Sequence, residues 1–112
     1  MKRLICILLL AIVSIAGCKS ENLDEIMMTG LQKSDVKQML GEPDKIEELT
    51  KHTEHVFGPV ESLWYQMQMG DKIVIWIYET RTGRKELYFL NDAPEVADEF
   101  FWYNDSRKNP VY

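Results

Sequence analysis

His52 and His55 stand three residues apart with Glu54 between them, a spacing that on a helix would bring both imidazoles to nearly one face, as a metal site requires. Two ligands are too few, and the chain has no third histidine, so carboxylates would have to complete the shell. The simpler expectation is a pair of solvated loop histidines, with no metal and no cofactor. Glu47/Glu48 and Asp98/Glu99 could divide acid and base roles, but only in a desolvated pocket that separates their pKa values. Adjacent acids on an amphipathic surface are the commoner arrangement. None of Ser34, Ser62 and Ser106 sits in a Gly-x-Ser-x-Gly elbow, and no glycine-rich phosphate loop is present. These residue types point away from an enzyme.

A second chemistry is contact. Trp64, Tyr65, Trp76, Tyr78, Tyr88, Phe89 and the run Phe100-Phe101-Trp102-Tyr103 make a heavy aromatic load for so short a chain. At least half of them are expected to fill the core. The remainder would form an exposed patch of the kind enriched where proteins bind one another, with Trp64, Tyr65, Tyr78, Tyr88 and Trp102 as the candidates.

The two thiols belong to the first residues. Lys2-Arg3 precede an apolar run from Leu4 to Ala16 and then small residues, which is the order of a secretory signal; about 13 residues are too few for a spanning helix, which needs about 20. Ile15-Ala16-Gly17-Cys18 resembles the bacterial lipobox, in which an aliphatic residue and two small ones precede the thiol that is acylated. The alternative is an ordinary cleaved signal followed by a free cysteine. The lipobox resemblance implies a signal peptide over residues 1–17, a lipidated tether over 18–22 and attachment to a membrane through acyl chains on Cys18. Lys19, where aspartate would favour retention in the inner membrane of enteric bacteria, leans toward the periplasmic face of the outer membrane.

With Cys6 removed and Cys18 lipidated, the mature chain would have no thiol for a disulfide, a zinc site or a nucleophile. About 95 residues suffice for one domain with a modest core. Without Lys2 and Arg3 its side-chain charge is about −7, so phosphate backbones would be repelled and nucleic acid is not an expected partner.

The elements that must position these residues follow from periodicity. Asn22 can cap a helix in which Leu23, Ile26 and Met27 share a face and which Gly30 ends; Val36, Met39 and Leu40 repeat the spacing in a second helix, closed by Gly41 and Pro43. Lys45 to Leu49 reads as an edge strand, followed by a loop. After Gly58-Pro59 a short helix places Val60, Leu63, Trp64 and Met67 together, running through Met69. The β-branched and aromatic run from Lys72 to Thr80 is the strongest strand, with others expected at Lys85–Leu90 and Val96–Tyr103.

These elements predict an α+β domain over residues 23–103: two short N-terminal helices packed on a three- to four-stranded antiparallel meander, with a polar tail over 104–112. The Lys72–Thr80 strand is apolar on both sides, which requires a cover on its second face.

The segment Gly30–Asp44, with Asp35 and Val36 in its helix and Leu40-Gly41-Glu42-Pro43 at its close, resembles the SmpA/OmlA family of bacterial lipoproteins. Trp76-Ile77-Tyr78 and Leu87-Tyr88-Phe89-Leu90 resemble that family's later strands. The chain departs from the pattern at Gln32, where a threonine usually caps the helix, in the long stretch between Pro43 and Trp76, and in the tail from Val96. The resemblance implies a β-lactamase-inhibitor-like helix-helix-sheet unit, no enzymatic activity, and a binding or scaffolding role at the cell envelope, in outer-membrane protein assembly or envelope maintenance, with an envelope protein as partner. The competing expectation is a periplasmic inhibitor or small-ligand-binding lipoprotein, with Lys51–Gly58 entering a target's active site.

Overall fold

The computed structural model describes residues 22–111; the signal segment, Cys18 and most of the tether lie outside the described residues. Four strands, β1 (Lys45–Thr50), β2 (Lys72–Glu79), β3 (Gly83–Leu90) and β4 (Asp98–Tyr103), form an antiparallel meander in the order β1-β2-β3-β4. Helix α1 (Lys33–Leu40) lies on one face, and a single turn, α2 (Glu61–Trp64), on the other.

The expectation of two N-terminal helices is overturned: residues 22–30 form turns and irregular backbone, and among the described residues α1 is the one helix of more than a single α-turn. The cause is that the peptide groups of this segment are bonded sideways to the sheet. Met28 N donates to Glu99 Oε2 at 2.5 Å, and Ile26 O accepts from Lys85 Nζ at 3.0 Å. Gly30 N donates to Val96 O at 2.9 Å, Val96 N returns a bond to Leu31 O, and Lys33 N donates to Pro94 O at 2.8 Å. Each such group is lost to an i→i−4 ladder, so the helical pattern is outcompeted. Leu23 and Met28 enter the core, while Met27, on the predicted helical face, is exposed.

Helix α1 buries Val36 and Leu40. Gln32 occupies its cap, where its own N–H donates to Asp35 Oδ2 at 3.4 Å while its amide reaches Glu95. Gly41 ends it at φ 78°, a left-handed conformation that glycine adopts without a Cβ penalty. Lys33 and Lys37 roof the buried Trp76 ring at 5.8 and 5.4 Å, and Lys33 also lies 5.0 Å from the Phe89 centroid, so their stems cover apolar surface while the ammonium groups face the rings.

The second sheet face is covered by the chain between Leu49 and Gly70. Val60, Leu63, Trp64 and Met67 pack on Ile73 and Tyr88, with Ile75, Leu90 and Phe100 around them. The predicted helix through Met69 shortens to one turn because both ends of its next bond are diverted. Lys51 Nζ takes Trp64 O at 2.7 Å, and Gln68 N donates to Asp71 Oδ2 at 3.0 Å.

Gly83 stands where β3 and β4 leave no room for a side chain. It pairs with Tyr103 across β3 and β4, and a Cβ there would collide with Trp102 O and come within 2.6 Å of Phe101 Cε1. Neither neighbour is the tip of a flexible side chain. Gly83→Ala is expected to destabilise the domain by about 2–3 kcal/mol through overpacking, read as a lower urea midpoint at constant m. A midpoint equal to the parent's would show that the β3–β4 register relaxes freely.

Candidate functional site

The segment over Lys51–Gly70 is irregular in backbone and closely pinned. Lys51, itself buried, donates from Nζ to Trp64 O and to Met67 O at 2.8 Å, and Lys51 also shares backbone bonds with Asp71 and Gly70. Trp64 is 1% exposed, and its Nε1–H donates to Thr53 O at 2.9 Å. Ser62 Oγ reaches Asp98 Oδ2 on β4 at 3.2 Å. A buried ammonium and a buried indole thus do the work of a regular hydrogen-bond ladder, and each has its partners.

From this anchored segment three large side chains project outward: Phe57 at 82% exposure, Tyr65 at 57% and Met69 at 56%. His55 stands beside Tyr65, with ring centroids 6.0 Å apart and Nδ1 3.5 Å from the phenol oxygen. His52 is exposed, its Nδ1 2.9 Å from Thr50 O, and its ring meets Trp64 edge-on at 6.4 Å. The two histidines therefore engage neighbouring groups separately. Among the described residues no three His, Cys, Asp or Glu side chains gather as a metal set would.

The five aromatic candidates divide. Trp64, Tyr78 and Tyr88 are buried and offer no area to a partner; Tyr65 is exposed and Trp102 is half-buried. Tyr78 belongs to the α1 face, where its hydroxyl donates to Gly41 O at 2.8 Å. Tyr88 lies under the second cover, its hydroxyl donating to Glu86 Oε1 at 2.7 Å. The structure does not bring Tyr65 and Trp102 into one patch with the other three. On this segment Phe57 and Met69 are exposed apolar residues that the aromatic count passed over, as Met27, Met39 and Ile46 are elsewhere. The signal for Phe57 was present: a lone aromatic after the polar run 50–55, next to Gly58-Pro59, with no periodic partner.

Beyond that cover, the same sheet face turns polar. Glu79 pairs with Arg84 and Arg84 with Trp102, so a carboxylate, a guanidinium and an indole form one cross-strand row. Glu86, one row inward and buried, organises it: Oε1 accepts from Tyr88 and, at 3.3 Å, from Trp102 Nε1, while Oε2 accepts from Arg84 Nε at 3.0 Å. This row borders an open groove of ≈ 470 Å³ that continues to Thr80, Tyr103 and Asn104. A second groove of ≈ 410 Å³ shares Tyr103 and Asn104 and runs to Asn22, Asp24 and Lys108.

On the opposite face, Lys85 and Glu99 form a buried ion pair at 3.1 Å, the pair that also holds the backbone of Ile26 and Met28. No family model, curated protein or solved structure matches this chain.

Two tyrosines resist ionisation. Burial, helped by the charges of Glu42 and Asp44, raises the Tyr78 hydroxyl well above its ordinary 10.0. The hydrogen bond that Tyr103 donates to Asp24 at 3.0 Å raises it in turn, with burial and the negative charges of Asp24 and Glu25 adding to it. Each folded pKa exceeds its unfolded value, so the native state holds protons that the unfolded chain releases. Their contribution to stability is complete below pH 10 and is lost as the pH rises through the folded values. Urea midpoints should therefore fall above about pH 10, and Tyr103→Phe should make that fall shallower while lowering the midpoint at neutral pH. An unchanged alkaline slope would remove Tyr103 from the account.

Proposed function

We propose that this protein is a lipid-anchored binding module of the bacterial cell envelope, tethered through Cys18 and meeting an envelope protein through the outer side of residues 52–69. One observation carries the contact surface: Phe57, Tyr65 and Met69 are each more than half exposed on a segment held by the buried Trp64 and Lys51. Exposed apolar side chains on a backbone already held in place spare an association the cost of ordering that backbone, which is what an anchor segment needs. The charge of the chain supports a protein partner over nucleic acid. The lipobox at Ile15–Cys18 supports the anchor, and the Gly30–Asp44 segment's likeness to SmpA/OmlA lipoproteins supports a scaffolding role in outer-membrane protein assembly or envelope maintenance.

The 82% exposure of Phe57, beside the exposed run His52–His55, also favours the inhibitor reading, in which this loop enters a target's cleft. Lys51 would take no part, because it is buried.

Full-length protein crosslinked and recovered from detergent-solubilised envelopes separates the readings: assembly components as the captured species favour the module, a single hydrolase the inhibitor. Phe57→Ser and Tyr65→Ser should each cut capture by about tenfold or more with stability changed by less than about 0.5 kcal/mol. Cys18→Ala should release the protein from the membrane fraction. Trp64→Ala should instead cost about 3–5 kcal/mol, as for a buried core aromatic. Undiminished capture by both surface variants would defeat the contact surface.

A further inference from the structure

We infer that the domain stands on the membrane by one end of its sheet, where Asn22 meets the turns over residues 80–83 and 104–109, with the cover over residues 52–69 held clear of the bilayer. This orientation rests on the acylation of Cys18 proposed above and on no partner's identity. Lys19, Ser20 and Glu21 alone stand between Cys18 and Asn22, so the connection cannot reach beyond about 14 Å. The chain is fixed from the next residue on, because Leu23 is fully buried. From there the N-terminal segment climbs beside β4. Asp24 Oδ2 accepts from the Tyr103 hydroxyl at 3.0 Å, Ile26 O accepts from Lys85 Nζ at 3.0 Å, Met28 N donates to Glu99, and Gly30 N donates to Val96 O at 2.9 Å. Since β4 runs from Asp98 to Tyr103, these bonds order the segment upward from the Tyr103 end and place Asn22 at its foot. Asn22 also borders one groove with Thr82, Tyr103 and Lys108, and Asn104 N donates to Thr82 O at 2.8 Å. The tether therefore leaves the domain at the end of the sheet that carries the β2–β3 turn.

The cover lies at the other end. It packs on Ile73 and Tyr88, Ser62 Oγ donates to Asp98 Oδ2 at the start of β4, and Gly70 N donates to Lys51 O just before β2 begins. Along β2, Ile73 stands about 20 Å from Glu79 at the tether end. Charge favours the same posture. Around the tether exit Arg81, Arg107 and Lys108 answer Asp24, Glu25 and Asp105, and Arg107 pairs with Asp105 at 3.0 Å. The opposite end brings Glu54, Glu61, Asp71, Asp92 and Asp98 against Lys72 and the buried Lys51. A bilayer that contains anionic lipid repels the second end and is indifferent to the first. A partner of Phe57, Tyr65 and Met69 is then a protein whose surface stands outside the headgroup layer.

The chain's cysteines are Cys6 and Cys18, so with the first removed and the second acylated, an introduced cysteine is the single target of a thiol-directed spin label. Ser106→Cys at the tether end and Gln66→Cys on the cover, both at exposed positions, serve as the two sites. Each variant is purified as the lipidated protein and reconstituted in vesicles of phosphatidylethanolamine and phosphatidylglycerol doped with a nickel-chelating lipid. Nickel at the headgroups speeds relaxation only of spins close to it. The label at position 106 should relax several-fold faster than in vesicles without nickel, and the label at position 66 should stay near its nickel-free rate. Flotation of the vesicles, read alongside, separates two failures. Protein that does not float would defeat the anchor and the orientation with it. Protein that floats, but whose label at position 66 relaxes as fast as that at position 106 or faster, would defeat the orientation alone and lay the apolar cover on the lipid.

Discussion

The constraint on which this structure depends is that its two central strands are apolar on both faces. Val74, Trp76 and Tyr78 point one way along β2, and Ile73, Ile75 and Ile77 the other; β3 adds Leu87 and Phe89 to the first face and Tyr88 and Leu90 to the second. An antiparallel sheet exposed on one side would be unstable with such strands, so two covers are required. Helix α1 and the N-terminal segment supply one. The chain between β1 and β2 supplies the other, and in covering Ile73 and Tyr88 with Trp64 it leaves Phe57, Tyr65 and Met69 exposed. The candidate contact surface is the back of a cover that the sheet needed in any case.

Neither cover is a long helix, so polar side chains hold both. Lys85 and Glu99 fix the backbone of residues 26 and 28, Lys51 fixes the carbonyls of Trp64 and Met67, and Glu86 ties β3 to Tyr88, Arg84 and Trp102. No buried side-chain nitrogen or oxygen among the described residues is left without a partner. Desolvating the Lys85–Glu99 pair offsets much of its attraction, so its net stabilisation is small. Losing one member would strand the other and cost about 3–5 kcal/mol. Such groups define which backbone docks where more than they add to stability.

That distinction explains what the sequence revealed. Strand positions and the demand for a second cover were legible, because they follow from β-branched and aromatic density in Lys72–Thr80 and from the alternation of its faces. The close of α1 was legible in Gly41-x-Pro43. The first predicted helix was not legible as absent, because the groups that dissolve it, Lys85 and Glu99, lie about 60 to 70 residues away and form no local pattern. The candidate site was legible in part. Tyr65 and Trp102 were marked by type, but Tyr78 and Tyr88 could be assigned to the core only once both covers were located. The Glu79–Arg84–Trp102 row depends on strand register, which residue type alone does not fix.

The sheet's edges then narrow the ways in which this domain can bind. Among the described residues β1 is a free edge, with every residue exposed except Leu49, which is half-buried, and three of its six residues are charged: Lys45, Glu47 and Glu48. A strand adding to it would have to accommodate those charges, the usual device by which natural sheets discourage edge pairing. At the other edge Asn109 bonds both peptide groups of Tyr103, Oδ1 accepting from its N–H at 2.7 Å and Nδ2 donating to its carbonyl at 2.9 Å, so a side-chain amide occupies the place of a fifth strand. With one edge charged and the other capped at its end, main-chain addition is disfavoured on both sides. Recognition is left to side chains on the covers and on the open part of the second face.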